Sequence, residues 1–416
     1  MADLQGIVDA LAIELDRPIG VDDRRFRALA YSSHVDGVDP VRLASILQRE
    51  APRDVIAWLE SLGIAHADSP VHVPANAGFG MAARVCVPIR FDGALLGYLW
   101  LIDEPRPLDE RELAEASRAS AELAVALFRA QRLEHEDRER ERELLTRLAD
   151  PHRDDGAAAA EELLRDGFLA TARAHGVLVA QAFRADGAQA PDEVRVRLAA
   201  AAEHVRRGVA PRHLLVHVAG EQIVALLACA ERDELERRGR ALAAAVERNL
   251  ADCADWIGRV GAGVERAAAA ELPRALAEAR RALRVAQAIG ARERFTPWSE
   301  LGAYRTLARL VPEGAAPPLP DALLRMLAAD EADVLVPTLE RFLDAAGDAR
   351  AAAERLFIHR SSLYARLHRI EQVAGVDLRD GDVRLELHLG LRLLRLRGDA
   401  PPWLRGVPAD GPSGGG

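Results

Sequence analysis

The chain has 416 residues, a formal net charge of −10, apolar residues at 49% of positions and aromatics at only 4%, which predicts two or three domains. All 55 basic residues are arginine, and the three cysteines (Cys86, Cys229, Cys253) are scattered without CxxC spacing. That excludes a cysteine zinc site and a disulfide framework and favours single buried thiols. The first residues carry acidic charge and no secretory core, and no apolar run reaches membrane-spanning length, so a cytoplasmic protein without a membrane partner is expected.

Residues 1–105 mix helical patterns with strands. Residues 84–90 alternate apolar and polar, Asp92-Gly93 supplies a tight turn, and 94–102 return as a buried strand. This hairpin, followed by an acidic turn and a helix, resembles the end of a GAF domain. The resemblance implies an α/β sensor that holds a small molecule against its sheet, with Phe79, Met81, Cys86, Tyr98 and Trp100 as candidate lining residues. The same five residues fit an ordinary core equally well.

From Leu108 to Ala149 there is neither glycine nor proline, so these residues read as one long helix, the body of a connecting segment 106–149. Leu113, Ser120 and Leu127 with Ala116, Leu123 and Ala130 form two stripes seven residues apart, which predicts a short coiled-coil seam for signalling and dimerisation. Glu134, Asp137 and Glu141 interrupt it before Leu144, Leu145 and Leu148 restore an apolar face. A solvated connector helix is the competing reading.

A second α/β region covers 150–310, with strands at 176–183, 214–218, 222–228 and 256–264 and helices near 192–207, 233–252 and 271–289. Gly258, Gly261 and Gly263 match neither GxGxxG nor a P-loop, and no lysine is present to reach a phosphate; they read as a glycine-bearing edge strand. This strand and the helix after it resemble the last elements of a GGDEF-type domain. The turn where active members carry their signature has only Ala219-Gly220-Glu221, and the acidic metal-binding pair is missing. The resemblance therefore implies a degenerate, structural domain, with no enzymatic activity and no cofactor expected. Scattered histidines such as His66, His72, His175 and His217 read as surface or packing residues.

Residues 311–320 are a proline-rich linker, 321–397 read as helices, and 398–416 have the composition of a disordered tail. Residues 350–397 carry a net charge of +4 against −14 for the rest, the balance of a nucleic-acid-binding module on an acidic body. Within 348–374, Asp348 can cap a first helix, residues 357–359 can turn, and a second helix runs from Arg360 until Gly375 stops it, a helix-turn-helix. Leu363, Leu367, Ile370 and Ala374 form its buried stripe. Arg360, Ser361, Ser362, Tyr364, Arg366, His368 and Arg369 remain to contact DNA.

The string from Ala351 to Asp380, with the apolar helix after it, resembles the C-terminal helix-turn-helix of PucR/CdaR-type bacterial transcriptional regulators. Ala353, Leu356, Ile358, His359, Arg360, Leu363, Arg366, Leu367, Arg369, Ile370 and Glu371 stand at matching positions. Ser361-Ser362 replaces the usual Asn-Thr, and Ala365 stands where a tyrosine is common. The order of GAF-like, GGDEF-like and helix-turn-helix modules also resembles that family, giving a multidomain α/β plus all-α fold. The resemblance implies an effector-controlled regulator of a metabolic or catabolic operon that binds double-stranded DNA as a homodimer or higher homo-oligomer. A protein-binding signalling scaffold and a nucleotide-handling enzyme are the alternatives.

Overall fold

A computed structural model describes residues 2–33, 39–48, 51–184, 186–231, 233–253, 255–291, 293–311, 318–397, 400–401 and 403. They divide into two units, Met1–Arg140 and Glu141–Gly416. The 312–317 part of the linker and nearly all of the 398–416 tail lie outside the described residues.

The first unit comprises α1 (Ala2–Leu15), β1 (Ile19–Asp23), β2 (Ala28–Tyr31), α2 (Pro40–Gln48), α3 (Arg53–Ser61), β3 (Val71–Val73), β4 (Arg84–Phe91), β5 (Ala94–Ile102) and most of α4 (Glu110–Ala149). Its antiparallel sheet has the order β2-β1-β5-β4-β3. The expected hairpin is β4–β5, closed by Asp92 (φ 49°) and Gly93 (φ 78°), the left-handed pair that a two-residue turn requires. Side chains alternate across the sheet. Val85, Val87, Leu99 and Leu101 share one core with α1 and α4, whereas Cys86, Tyr98 and Trp100 share another with Val41 of α2 and Val55 of α3.

Helix α4 is continuous, as expected, but the two stripes of its first half have a different role. Ala116, Ser120, Leu123 and Leu127 are buried against this unit's own sheet, where the Ser120 hydroxyl donates to the Pro88 carbonyl at 3.0 Å. The predicted coiled-coil seam is thus an intradomain face, and the core of the first unit extends past residue 105 into α4. A heptad seam and a sheet-facing helix share the same apolar spacing, so periodicity cannot separate them. The interrupted middle is solvated, with exposed Arg132–Glu136 and Arg138–Glu134 pairs.

The second unit begins with Leu144, Leu145 and Leu148 of α4, which are buried. Then follow α5 (Gly156–Arg165), β6 (Ala174–Phe183), α6 (Asp192–Arg207), β7 (Leu214–Ala219), β8 (Gln222–Cys229), α7 (Glu234–Asn249), β9 (Ile257–Ala262), α8 (Leu272–Ala288), β10 (Phe295–Pro297) and α9 (Ala303–Leu310). The sheet order is β10-β9-β6-β8-β7. β9 is therefore not the edge strand that its glycines suggested, because the short parallel β10 covers it. The glycines admit helices instead. A Cβ at Gly263 would lie 2.1 Å from the Ala275 carbonyl oxygen and one at Gly261 2.3 Å from that of Ala279, both on α8, while Gly258 faces Val246 of α7.

Among the described residues five helices complete this unit: α10 (Asp321–Leu327), α11 (Ala332–Asp344), α12 (Ala349–Arg355), α13 (Arg360–Ala374) and α14 (Gly381–Leu396). Leu323, Leu339, Leu363, Ile370, Leu387 and Leu391 form the centre of their core. Cys86 and Cys229 are buried free thiols as expected, and Cys253 is half-buried. Among the described residues no helix is long and apolar enough to cross a membrane.

Candidate nucleic-acid interface

The helix-turn-helix is built from local capping. Asp348 accepts hydrogen bonds from the Arg350 and Ala351 amides at 2.8 and 3.2 Å and starts α12. Phe357, at φ 54°, turns the chain out of it, and His359 starts α13 by accepting from the Ser361 amide through Nδ1 at 3.3 Å. Gly375, at φ 67°, ends α13. The buried stripe is Leu363, Leu367, Ile370 and Ala374, as the spacing predicts.

The opposite face is open. Arg360, Ser361, Ser362, Tyr364, His368 and Arg369 are exposed, whereas Arg366 is half-buried. Partners separate these groups. Among the described residues the Arg360 guanidinium has no hydrogen-bond or ion-pair partner, and it sits at the helix N-terminus, where backbone amides also favour a phosphate. Arg366 donates to the Thr338 hydroxyl of α11 at 3.3 Å. Arg369 pairs with Glu331 at 2.9 Å, an exposed contact weak enough to exchange for a phosphate. His368 lies beside Gln372 and Glu371.

The candidate sensor residues also come together. Tyr98, Trp100 and Met81 are buried, and Phe79 partly so, on the sheet face covered by α2 and α3. Tyr98 stacks on Phe26 with centroids 4.9 Å apart, and Phe79 tilts against Trp58 at 5.9 Å.

Residues 335–393 match the PucR C-terminal helix-turn-helix domain, spanning α12 and α13 with the helices on either side. Residues 10–127 match the GAF domain, ending inside α4 where its buried stripe ends. The chain thus carries a PucR-type helix-turn-helix together with a GAF domain, the parts of an effector-controlled transcriptional regulator. It is similar to the DNA-binding transcriptional activator AdeR of Bacillus subtilis (strain 168), at 23% identity over 94% of this chain and 92% of AdeR. It is also similar to the proline-responsive transcriptional activator PutR of the same organism, at 22% identity over 95% of this chain and 97% of PutR. A solved regulator of polyketide synthase expression from Bifidobacterium adolescentis matches 62% of this chain and 97% of its own, at 18% identity and a TM-score of 0.29.

Arg366 and Glu371 of the PucR-type motif serve the fold. Glu371 turns away from the open face and accepts from the Leu378 amide at 3.0 Å, fixing the loop after α13. Two residues escaped the sequence reading. Arg325 of α10 donates to the Ala374 carbonyl at 3.0 Å from Nε and again from Nη2, placing a cation at the negative end of α13. Its partner is 49 residues away in sequence, so no local signal marks it. Phe357, expected only as a turn residue, presents an apolar ring that is 95% exposed.

Proposed function

We propose that this PucR-type regulator binds operator DNA through the N-terminal half of α13 and controls a metabolic or catabolic operon in response to a small-molecule effector held by its GAF domain. Arg360, Ser361, Ser362 and Tyr364 reach base edges or phosphates in the major groove, and Arg369 exchanges Glu331 for a phosphate. The observation that carries this reading is α13 itself: capped at both ends, with Leu363, Leu367, Ile370 and Ala374 buried and an unpaired Arg360 at its open start. Both curated relatives are named as activators, which supports positive regulation. The middle domain acts as a degenerate GGDEF-like connector without catalysis. The protein works in the cytoplasm as a homo-oligomer, because two recognition helices on paired half-sites overcome the weak binding of one.

The test is binding of the full-length protein to DNA upstream of its own and neighbouring genes at two salt concentrations, compared with random DNA of equal length. Specific, salt-dependent binding that Arg360→Ala weakens is the expected result. Absent or salt-insensitive binding by the folded protein overturns this reading in favour of a protein-docking scaffold.

A further inference from the structure

Gly20 of β1 pairs with Trp100 of β5, and Asp22 pairs with Tyr98. These four residues share the sheet face that α2 and α3 cover, and Arg84 and Cys86 of β4 extend it. A Cβ built on Gly20 meets no described atom within 4 Å, so there is open space over Gly20, the cross-strand partner of Trp100. Next to it the buried Arg42 guanidinium donates from Nη2 to the Ile19 and Ser32 carbonyls at 3.2 and 3.3 Å.

Arg42 has no carboxylate within ion-pair distance among the described residues. Arg84 has one, Asp39, with Nη2···Oδ2 at 2.5 Å. Two buried polar atoms here are left without a hydrogen bond, Arg42 Nε and Trp100 Nε1; the indole lies near the Asp22 carboxyl without reaching hydrogen-bonding geometry. Both are N–H donors. A buried donor without a partner is costly, so what completes this face must bring acceptors, and beside a guanidinium with no carboxylate in ion-pair contact the best acceptor is an anion.

We propose that the space over Gly20 receives the carboxylate of a small organic acid, held by Arg42 and Trp100 Nε1, with the rest of the effector against Trp100 and Tyr98. This rests on the reading of the GAF domain as the effector sensor and names the chemistry it selects. A carboxylate suits a guanidinium fork better than a hydroxyl or an amide does. Asp22 is the group on the same face that would meet an ammonium, so an amino acid could engage both.

Calorimetry on the full-length protein tests this with acetate, pyruvate, succinate, benzoate, L-alanine and L-proline, each set against its methyl ester or primary amide. At least one acid should bind, its uncharged counterpart should bind at least tenfold more weakly, and Gly20→Leu, which fills the space, should abolish binding. Arg42→Gln should weaken it tenfold or more. Unchanged circular dichroism and DNA binding in both variants would exclude misfolding. Failure of every acid, or equal binding of an acid and its ester, overturns the carboxylate assignment. The two readings separate on a further arm, the small-molecule fraction of a cell extract. If it alters operator binding by the wild type but not by Gly20→Leu while no acid binds, the sensor stands with a different ligand chemistry. If it alters both alike, the GAF domain is not the sensor.

Discussion

Arg395 of α14 and Glu340 of α11 form a doubly hydrogen-bonded ion pair, Nε···Oε1 at 2.5 Å and Nη2···Oε2 at 2.6 Å, with side chains only 1% and 2% exposed. Nearby, Arg392 donates to Asp344 at 2.5 Å and to the Tyr304 hydroxyl at 3.1 Å, so α14 is tied to both α11 and α9. Arg395→Met strands a buried carboxylate and should cost about 3–5 kcal/mol. The Arg395→Met/Glu340→Leu double variant should recover most of that loss. Urea unfolding of the three proteins checks this, and a double variant no better than the single would refute it.

Burial pushes the Asp22 carboxyl from 3.8 up to about 6; Asp23 adds to the rise, while the nearby Trp100 N–H dipole, short of a hydrogen bond, and the Arg84 and Arg42 charges oppose it. The folded chain therefore holds a proton on Asp22 that the unfolded chain releases between about pH 4 and 6, and stability from this group falls as pH rises through that window. Asp22→Asn should match the wild type near pH 3.5 and exceed it by about 1–3 kcal/mol at pH 7.5. Unfolding free energies across this range decide the matter, and equal stability at pH 7.5 would contradict the assignment.

The arginines of α13 should separate by role. Arg360→Ala should weaken operator binding about tenfold and reduce the salt slope by about one. Arg366→Ala removes a contact with Thr338, so it should lower the unfolding midpoint and leave the salt slope unchanged. Anisotropy titrations at several salt concentrations, paired with thermal unfolding, distinguish the two. Identical salt slopes for both variants would mean that the assignment of roles is wrong.

Gly263→Ala drives a methyl group into the Ala275 carbonyl of α8. It should destabilise the middle domain by about 1–3 kcal/mol. Gly6→Ala, on an exposed face of α1 with open space around it, should not. Comparing their unfolding midpoints tests whether close helix approach, rather than ligand binding, explains the glycines of β9.

The elements whose signals are local were legible. Asp92-Gly93 specified the β4–β5 hairpin, the spacing of Leu363, Leu367 and Ile370 gave the buried side of α13, and Asp348 and Gly375 marked the helix ends, because caps and turns act over a few residues. The short β10 was not legible, since three residues carry no usable period and its pairing with β9 is set by the sheet.

The sequence by itself determined α13, its caps and its buried stripe, because each depends on periodicity or on neighbours within one turn. Only the tertiary structure decided which partner covers a given stripe. It placed Leu123 and Leu127 on the chain's own sheet rather than a coiled-coil seam, turned Arg366 and Glu371 to structural tasks, and brought Gly20, Arg42 and Trp100 together. An apolar stripe or an arginine records only that something must meet it; what does so is fixed by residues tens of positions away, brought near when the core closes.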